Sequence, residues 1–450
     1  MTQTATFHNG PLWRAFLVFL LPLIGQNILQ SLAMTISSII VGNTLGTSEL
    51  AAVSAFFPVA FFFIAFLIGL SSGASVLVGQ AYGAGKMDMV RRIAGTTMTV
   101  AVVLGMVIGI GGSILAQPIM MLLRTPADIM QSAVSYARIA FLIMPILFMF
   151  ITAGALMRGI RDSIRPLIMQ VISTAGTALL TFVLIARLGY HVEGAAIGQG
   201  IAQLVGLILL GVWLRWLGHP LAPDAAFIRL LKPDFTLLKT VLRIGMPTGV
   251  QLVIGSLSGL VILGLVNSFG SSATAAFGAV AQVQNYAQFP ALSIAIAGSI
   301  FGAQAIGAGR ADRLGDVVRT AMLMNVILTG GLVAFIYLAS RPLVSLFITD
   351  PETLDLAERL LHIVSWSALM FGTGTIFSGI MRASGTVIPP MVIAIACIVL
   401  VELPLAVYLS RQVGLDGIWW AYCASFGALM LLQGLYYNFV WRKKRIESLV

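Results

Sequence analysis

The spacing of charges constrains this chain more than any other feature. It has 450 residues with 26 Lys+Arg and 16 Asp+Glu. Uncharged runs remain at 15–48, 50–85, 93–123, 139–157, 166–186, 194–214, 244–309, 320–340, 360–381 and 417–441. Each is long enough to hold the roughly 20 residues that cross about 30 Å of hydrocarbon. The run 244–309 holds two crossings with Asn267–Ser272 as the turn, and one further span, about 386–410, is broken only by Glu402. The expectation is an all-α integral membrane protein with twelve transmembrane helices. The runs are continuous rather than alternating, which excludes barrel strands. No cleavable leader is expected, since the first run is too long, carries Pro22 and lacks a basic segment before it.

Composition agrees. Hydrophobic residues make up 59% and charged residues 9%, against roughly 45–50% and 25% in soluble chains. So few charges cannot cover a water-facing surface, which excludes a cytosolic enzyme, a DNA-binding protein and a disordered regulator. The net charge of +10 reports topology. With both termini cytoplasmic and twelve alternating spans, 20 of the 26 basic residues fall inside, among them Lys86, Arg91, Arg92, Arg158, Arg161, Arg165, Arg229, Arg310 and Arg442. This is the bias of the positive-inside rule, and no nucleic-acid partner is expected. Trp13, Trp213, Trp216 and Trp441 at the inner ends, with Trp419 and Trp420 near the outer end of the last span, read as interface anchors. Cys397 and Cys423 lie in apolar runs and read as small packing residues.

An internal repeat organises the chain. Val78–Asp88 aligns with Gly302–Asp312 at an offset of 224, matching Gln80, Gly83 and Gly85 to Gln304, Gly307 and Gly309, and Lys86 to Arg310. Asn43, Gly46 and Ser48 meet Asn267, Gly270 and Ser272, and with one residue of slippage Pro22 and Gln26 meet Pro247 and Gln251. Each half then holds six helices. After an even number of crossings the second copy inserts with the orientation of the first, so the halves should be related by a pseudo-twofold along the membrane normal and enclose a cavity. The expected organisation is an N-terminal lobe, 1–217, a cytoplasmic linker, 218–238, and a C-terminal lobe, 239–450. The other long loop, 341–358, is acidic and should face outside.

Several motifs can be weighed. Gly79…Gly85-Lys86 fails the phosphate-loop pattern because five residues separate the glycines and Met87 follows Lys86. It reads instead as a tight turn, repeated at Gly307–Gly309. The histidines His8, His191, His219 and His362 are scattered, and neither a zinc site nor a nucleophile elbow is present, so no enzyme and no metal site are expected. His362 and Trp366, one helical turn apart, read as packing. Polar stripes are more telling. Gln26, Gln30 and Ser37 share a helical face, Gln251, Ser256 and Ser258 fall in the first crossing of the 244–309 run, and Gln282, Asn285 and Tyr286 in its second. Amides facing lipid are costly, so these faces serve as interhelical glue or line a hydrated substrate path. Glu402 is the one acidic residue well inside a span. At mid-bilayer a carboxylate costs roughly 2.5–3.5 kcal/mol, so it needs a cavity, a proton or a partner such as Arg411.

These residues together resemble the multidrug and toxic-compound extrusion family. The likeness spans both halves. It rests on the doubled Gln-Ala-x-Gly-Ala-Gly turn, on Gly42-x-x-x-Gly46 before Ala51-Ala52, on Arg158-Gly159…Asp162…Pro166 with its counterpart Arg382…Gly385…Pro389, and on Gly194-Ala-Ala echoed at Gly417. The resemblance implies a two-lobed antiporter that exports amphipathic, often cationic, small molecules in exchange for H⁺ or Na⁺, with no cofactor. One charge moved through 100 mV supplies roughly 2.3 kcal/mol, about fiftyfold in concentration. The chain departs from the family's acidic positions, carrying Ser37, Thr181 and the Gly255-Ser256 neighbourhood there instead. Glu402, or the neutral oxygens of Ser37 and Thr181, are the candidates for ion coupling. Gln26, Gln30, Gln251, Ser256, Gln282, Asn285 and Tyr286 are the candidates for the cavity. A monomer in the bacterial inner membrane is expected. The alternative is a lipid-linked saccharide flippase, which would favour a cationic cavity.

Overall fold

The computed structural model describes residues 11–225, 227 and 230–450; His8 and Arg229 lie outside them. Among the described residues there is no strand. The spans are α1 (Leu12–Leu45), α2 (Thr47–Gly83), α3 (Met87–Ile114), α4 (Met130–Leu142 with Met144–Gly159), α5 (Ile164–Arg187), α6 (Glu193–Trp216), α7 (Phe235–Asn267), α8 (Ser271–Gly307), α9 (Ala311–Leu338), α10 (Pro351–Ala383), α11 (Ile388–Val413) and α12 (Leu415–Lys443). Eleven helices are each long and apolar enough to cross a membrane, and α4 makes the twelfth when its two pieces count as one span. The α4 pieces meet at 49°. Pro145 opens the second piece, where it lacks an N–H and crowds the preceding turn, so the rod breaks there.

The repeat is visible in the turns. Positive φ occurs at Gly46 and Gly270, Gly85 and Gly309, Arg161 and Gly385, and Gly189 and Gly414. In the third pair the second half places glycine where the first carries a side chain. Both turns close with the same backbone bond, Asp162 N–H to Met157 O at 3.0 Å and Thr386 N–H to Met381 O at 3.1 Å. Arg161, at φ 65°, therefore sustains a left-handed backbone that costs an ordinary residue about 1–2 kcal/mol.

The chain forms two compact units. The first contains residues 11–24, Gly83–Gly85 and Val250–Val450, and the second Gly25–Tyr82 and Lys86–Gly249. The boundaries cut α1 after Ile24 and α7 after Gly249, positions that the slipped register makes equivalent. The core of the first unit gathers Phe277, Leu360, Leu361, Ile418 and Trp419. In the second, a cluster of Val41, Val53, Ile185, Val192 and Ala195 sits near the ends of α1, α2 and α5.

Three sequence expectations are corrected here. The segment 341–358 is not a loop throughout, because α10 begins at Pro351. Asp350 caps it, accepting from the Thr353 N–H at 3.0 Å and the Thr353 hydroxyl at 2.6 Å. An Asp cap followed by Pro at the first helical position is a start signal that outweighs the local acidity. Trp441 is 2% exposed and not an interface anchor, its indole N–H shared between Ser384 Oγ and Thr386 Oγ1. Trp419 is likewise buried, stacked on Phe277 at 4.8 Å. Trp13, Trp216 and Trp420 are exposed as interface residues would be.

On the second unit the segment after α6 is pinned to α3. Arg91 pairs with Asp224 at 2.5 Å, Arg92 with Asp234 at 2.7 Å, and Thr99 donates to Leu231 O at 2.7 Å.

Candidate functional site

The first unit buries one carboxylate. Pro404 stands two residues beyond Glu402, and a proline cannot donate to the turn before it. The chain accommodates this with π-type turns over Cys397–Glu402, a widening that recurs at functional positions in helices. Glu402, at the end of that segment, is 5% exposed. Ser258 of α7 donates its hydroxyl to Glu402 Oε1 at 2.6 Å, and Ser425 of α12 lies beside the carboxylate with its hydroxyl donated to the Cys397 carbonyl at 3.4 Å. Glu402 has no ion-pair partner among the described residues, Arg411 included. Three helices therefore meet at this carboxylate, and the Ser258 hydroxyl supplies its hydrogen bond. Ionised, the carboxylate accepts from Ser258; protonated, it gains a hydrogen to donate.

The other candidates separate by how their polar atoms are used. Gln26 is committed to the second unit: its Nε2 donates to Ser163 O at 3.0 Å and its Oε1 accepts from Arg158 at 3.2 Å. Thr181 is fully buried and its hydroxyl has no partner among the described residues. Gly198 packs on it, with room for no side chain there. Gln30 is exposed and Ser37 partly so. In the first unit Gln251, Ser256 and Gln282 are half-buried and Asn285 is exposed. Tyr286 packs edge-on against Phe289 at 5.5 Å. Ser258 and Glu402 thus come together, while Thr181 is sealed in the α5–α6 contact of the other unit.

The repeated turns have a packing role. Gln80 and Gln304 are buried at 0% and 1% exposure. Lys86 N–H bonds Ala81 O at 2.9 Å and Arg310 N–H bonds Ala305 O at 2.8 Å, closing the two helix ends in the same way over Gly85 and Gly309. A Cβ at Gly83 would fall 2.1 Å from Gln304 O, so the glycine of one motif lies directly on the backbone of the other. Gly307 ends α8 at the matching place.

Sequence reasoning missed Ser425 and Gln284. Ser425 lies in α12 with no polar neighbours at helical spacing to draw attention to it. Gln284 is 4% exposed and neither amide atom has a partner among the described residues. It stands between Gln282 and Asn285, and the helical period could have marked it as pointing the other way.

A model of the MatE family matches residues 22–184 and 247–408, one segment on each repeat. A probable multidrug resistance protein of Bacillus subtilis (strain 168), YoeA, is 42% identical over 444 residues, covering 97% of this chain and 96% of its own length. A second from the same organism, YpnP, is 25% identical over 441 residues and covers 96% of both. Among solved structures, an outward-facing multidrug resistance transporter of the MATE family superposes with a TM-score of 0.90. It shares 20% identity, over 97% of this chain and 98% of that one, a likeness of fold.

Proposed function

Because the chain belongs to the MatE family of multi-span membrane transporters, which are not enzymes, we propose that it is a secondary antiporter that exports amphipathic or cationic small molecules and is driven by protons. The observation that carries the coupling is the buried Glu402 carboxylate, held by the Ser258 hydroxyl at 2.6 Å and unpaired with any cation among the described residues. A carboxylate in lipid without a counter-ion is expensive, and taking up a proton removes that cost. Gaining the proton also changes the Ser258 bond that joins α7 to α11, so occupancy and helix packing are linked. Export under this reading needs the family's alternation between two openings, with 1–217 and 239–450 as the moving lobes and 218–238 as their linker. The sodium route through Ser37 and Thr181 draws less support, since Thr181 is sealed beneath Gly198.

Gln30 in the second unit, and Gln251, Ser256, Gln282 and Asn285 in the first, each support a hydrated lining within their own unit, since their polar groups have no partner among the described residues although they lie in apolar spans. Gln26 takes a structural part in it, fixing α1 to the turn after α4. The names of the relatives favour drugs as cargo. We place the protein in the bacterial inner membrane with both termini cytoplasmic, following the distribution of basic residues. Proteoliposome uptake of ethidium under an imposed pH gradient, and separately under a sodium gradient, tests the reading. The pH gradient should drive uptake and Glu402→Gln should abolish the drive. A Glu402→Gln protein with unchanged rate and pH dependence would overturn it.

A further inference from the structure

The end of the first unit opposite the Gly307–Gly309 turn carries a second feature, which the coupling reading does not use. A cavity of about 550 Å³ opens there, lined by the rings of Tyr337, His362, Trp366 and Trp420 and by the charged Asp355, Glu358 and Arg359. Three of its large rings are accessible, Tyr337 at 39%, Trp366 at 37% and Trp420 at 46%. The wall is preformed. Tyr337 stacks on His362 at 5.1 Å and 13°, and its hydroxyl donates to the His362 carbonyl at 2.5 Å. His362 Nε2 is buried without a partner among the described residues.

The charges around the cavity are unequal. Arg341 bridges Asp355 at 2.7 Å and Glu358 at 3.1 Å, and Arg359 pairs with Asp416 at 3.1 Å. Three carboxylates against two guanidiniums leave one negative charge in excess beside the aromatic faces. An anion is disfavoured by that sign. A bare metal ion is poorly served, because no group of three or more His, Cys, Asp or Glu is placed to hold one among the described residues. Aromatic faces together with a net negative charge suit a cation that carries its charge on an apolar body.

The geometry points to this cavity as a binding site for organic ammonium-type cations, separate from the Glu402 centre. Two sources share that chemistry: a free amphipathic cation arriving at or leaving the membrane, and the quaternary ammonium headgroup of a lipid. The inference goes beyond the proposed transport reading and does not rest on it. It is therefore tested in Glu402→Gln protein, where failure of coupling cannot be mistaken for failure of this site.

The full chain in phosphatidylglycerol nanodiscs is titrated with tetraphenylphosphonium, and with its isostere of opposite charge, tetraphenylborate, following tryptophan fluorescence. A saturable phosphonium site with no borate counterpart is expected. The paired Trp366→Leu and Trp420→Leu changes should weaken it about tenfold or more. Asp355→Asn, at an exposed position, should weaken it by a smaller factor and guards against loss of folding in the tryptophan variant. Repeating the titration with phosphatidylcholine added assigns the source within the proposal: competition identifies the lipid headgroup, and its absence the free cation. Phosphonium binding that is identical in parent, tryptophan and Asp355 variants, or equally strong binding of the borate, would overturn the site.

Discussion

The two halves of the chain fold the same turns and bury different chemistry. Where α7 meets α2 in the second unit, glycine lies on backbone: a Cβ at Gly73 would sit 2.3 Å from Val241 O, and one at Gly245 would sit 2.3 Å from Gly69 O. The equivalent meeting of α1 with α8 in the first unit is made by side chains. Phe16 stacks on Phe301 at 4.4 Å, Phe19 meets the same ring edge-on at 5.9 Å, and Ala297 stands where the other half has Gly73. The acid is one-sided too. Glu402 has no carboxylate counterpart in the first half, where the matching stretch 177–181 supplies only the hydroxyls of Thr177 and Thr181. A duplicated backbone skeleton thus leaves each copy free to specialise. In lipid, where apolar burial gives little drive between helices, close backbone contact and aromatic packing are alternative ways to hold one crossing.

The comparison breaks most readily at the glycines. Gly73→Leu should cost more than about 4 kcal/mol, because the obstructing atoms are backbone and cannot turn aside. Ala297→Gly at the equivalent position should cost only about 1 kcal/mol, the helix penalty of glycine. Thermal melts of the purified protein in detergent would show the gap, and equal shifts would mean the two crossings are packed alike. Phe301→Ala should lose about 3 kcal/mol. A double-mutant cycle with Phe16→Ala should return roughly 1 kcal/mol of coupling for the ring pair; strict additivity would remove the aromatic arm from the account.

Smaller effects sharpen the contrast at the start of α7. Asp234 accepts from the Thr236 and Leu237 N–H groups at 3.0 and 3.2 Å, whereas Pro11, which precedes α1, has no side-chain oxygen to accept in this way. Asp234→Ala should cost about 1 kcal/mol by chemical denaturation. The Leu237 N–H, more than Arg92, holds the Asp234 carboxyl below the usual carboxylate range. Its contribution is complete above the unfolded value of about 4 and fades as pH falls through the lower folded value. The smallest effect concerns His219, whose imidazole is pushed down by burial and then by Arg165, and whose Nδ1 accepts from Leu221 N–H at 3.2 Å. Because the folded state disfavours its charged form, its support of the linker is complete above about pH 6.5 and declines below it. The hydrogen-exchange protection of residues 218–225, corrected for the intrinsic fall of exchange rate with pH, should therefore decrease between pH 8 and pH 5 in the parent, and less so in His219→Gln.

The architecture was legible because lipid enforces it. Spans must be long, apolar and helical, so uncharged runs, the repeat and the Gly85 and Gly309 turns could be read directly. The polar positions were harder. Helical spacing puts Gln26 and Gln30 on one stripe but says nothing of Ser163 O and Arg158, which occupy the first, while the second has no partner among the described residues. Glu402 stood out as a lone acid, yet the Ser258 hydroxyl that holds it and the Ser425 side chain beside it come from two other helices, a convergence that no local pattern encodes. The bend in α4 and the capped start of α10 had local signals in Pro145 and Asp350-Pro351, which hydropathy alone passes over.

The central claim is that Glu402 exchanges a proton for cargo. Adding ethidium to the purified protein in weakly buffered detergent solution, with a pH-sensitive dye present, tests it without membranes or gradients. The account predicts proton release that saturates with ethidium binding in the parent and vanishes in Glu402→Gln. Equal release from both proteins, or binding by the parent with no release at any pH from 5 to 9, would contradict it.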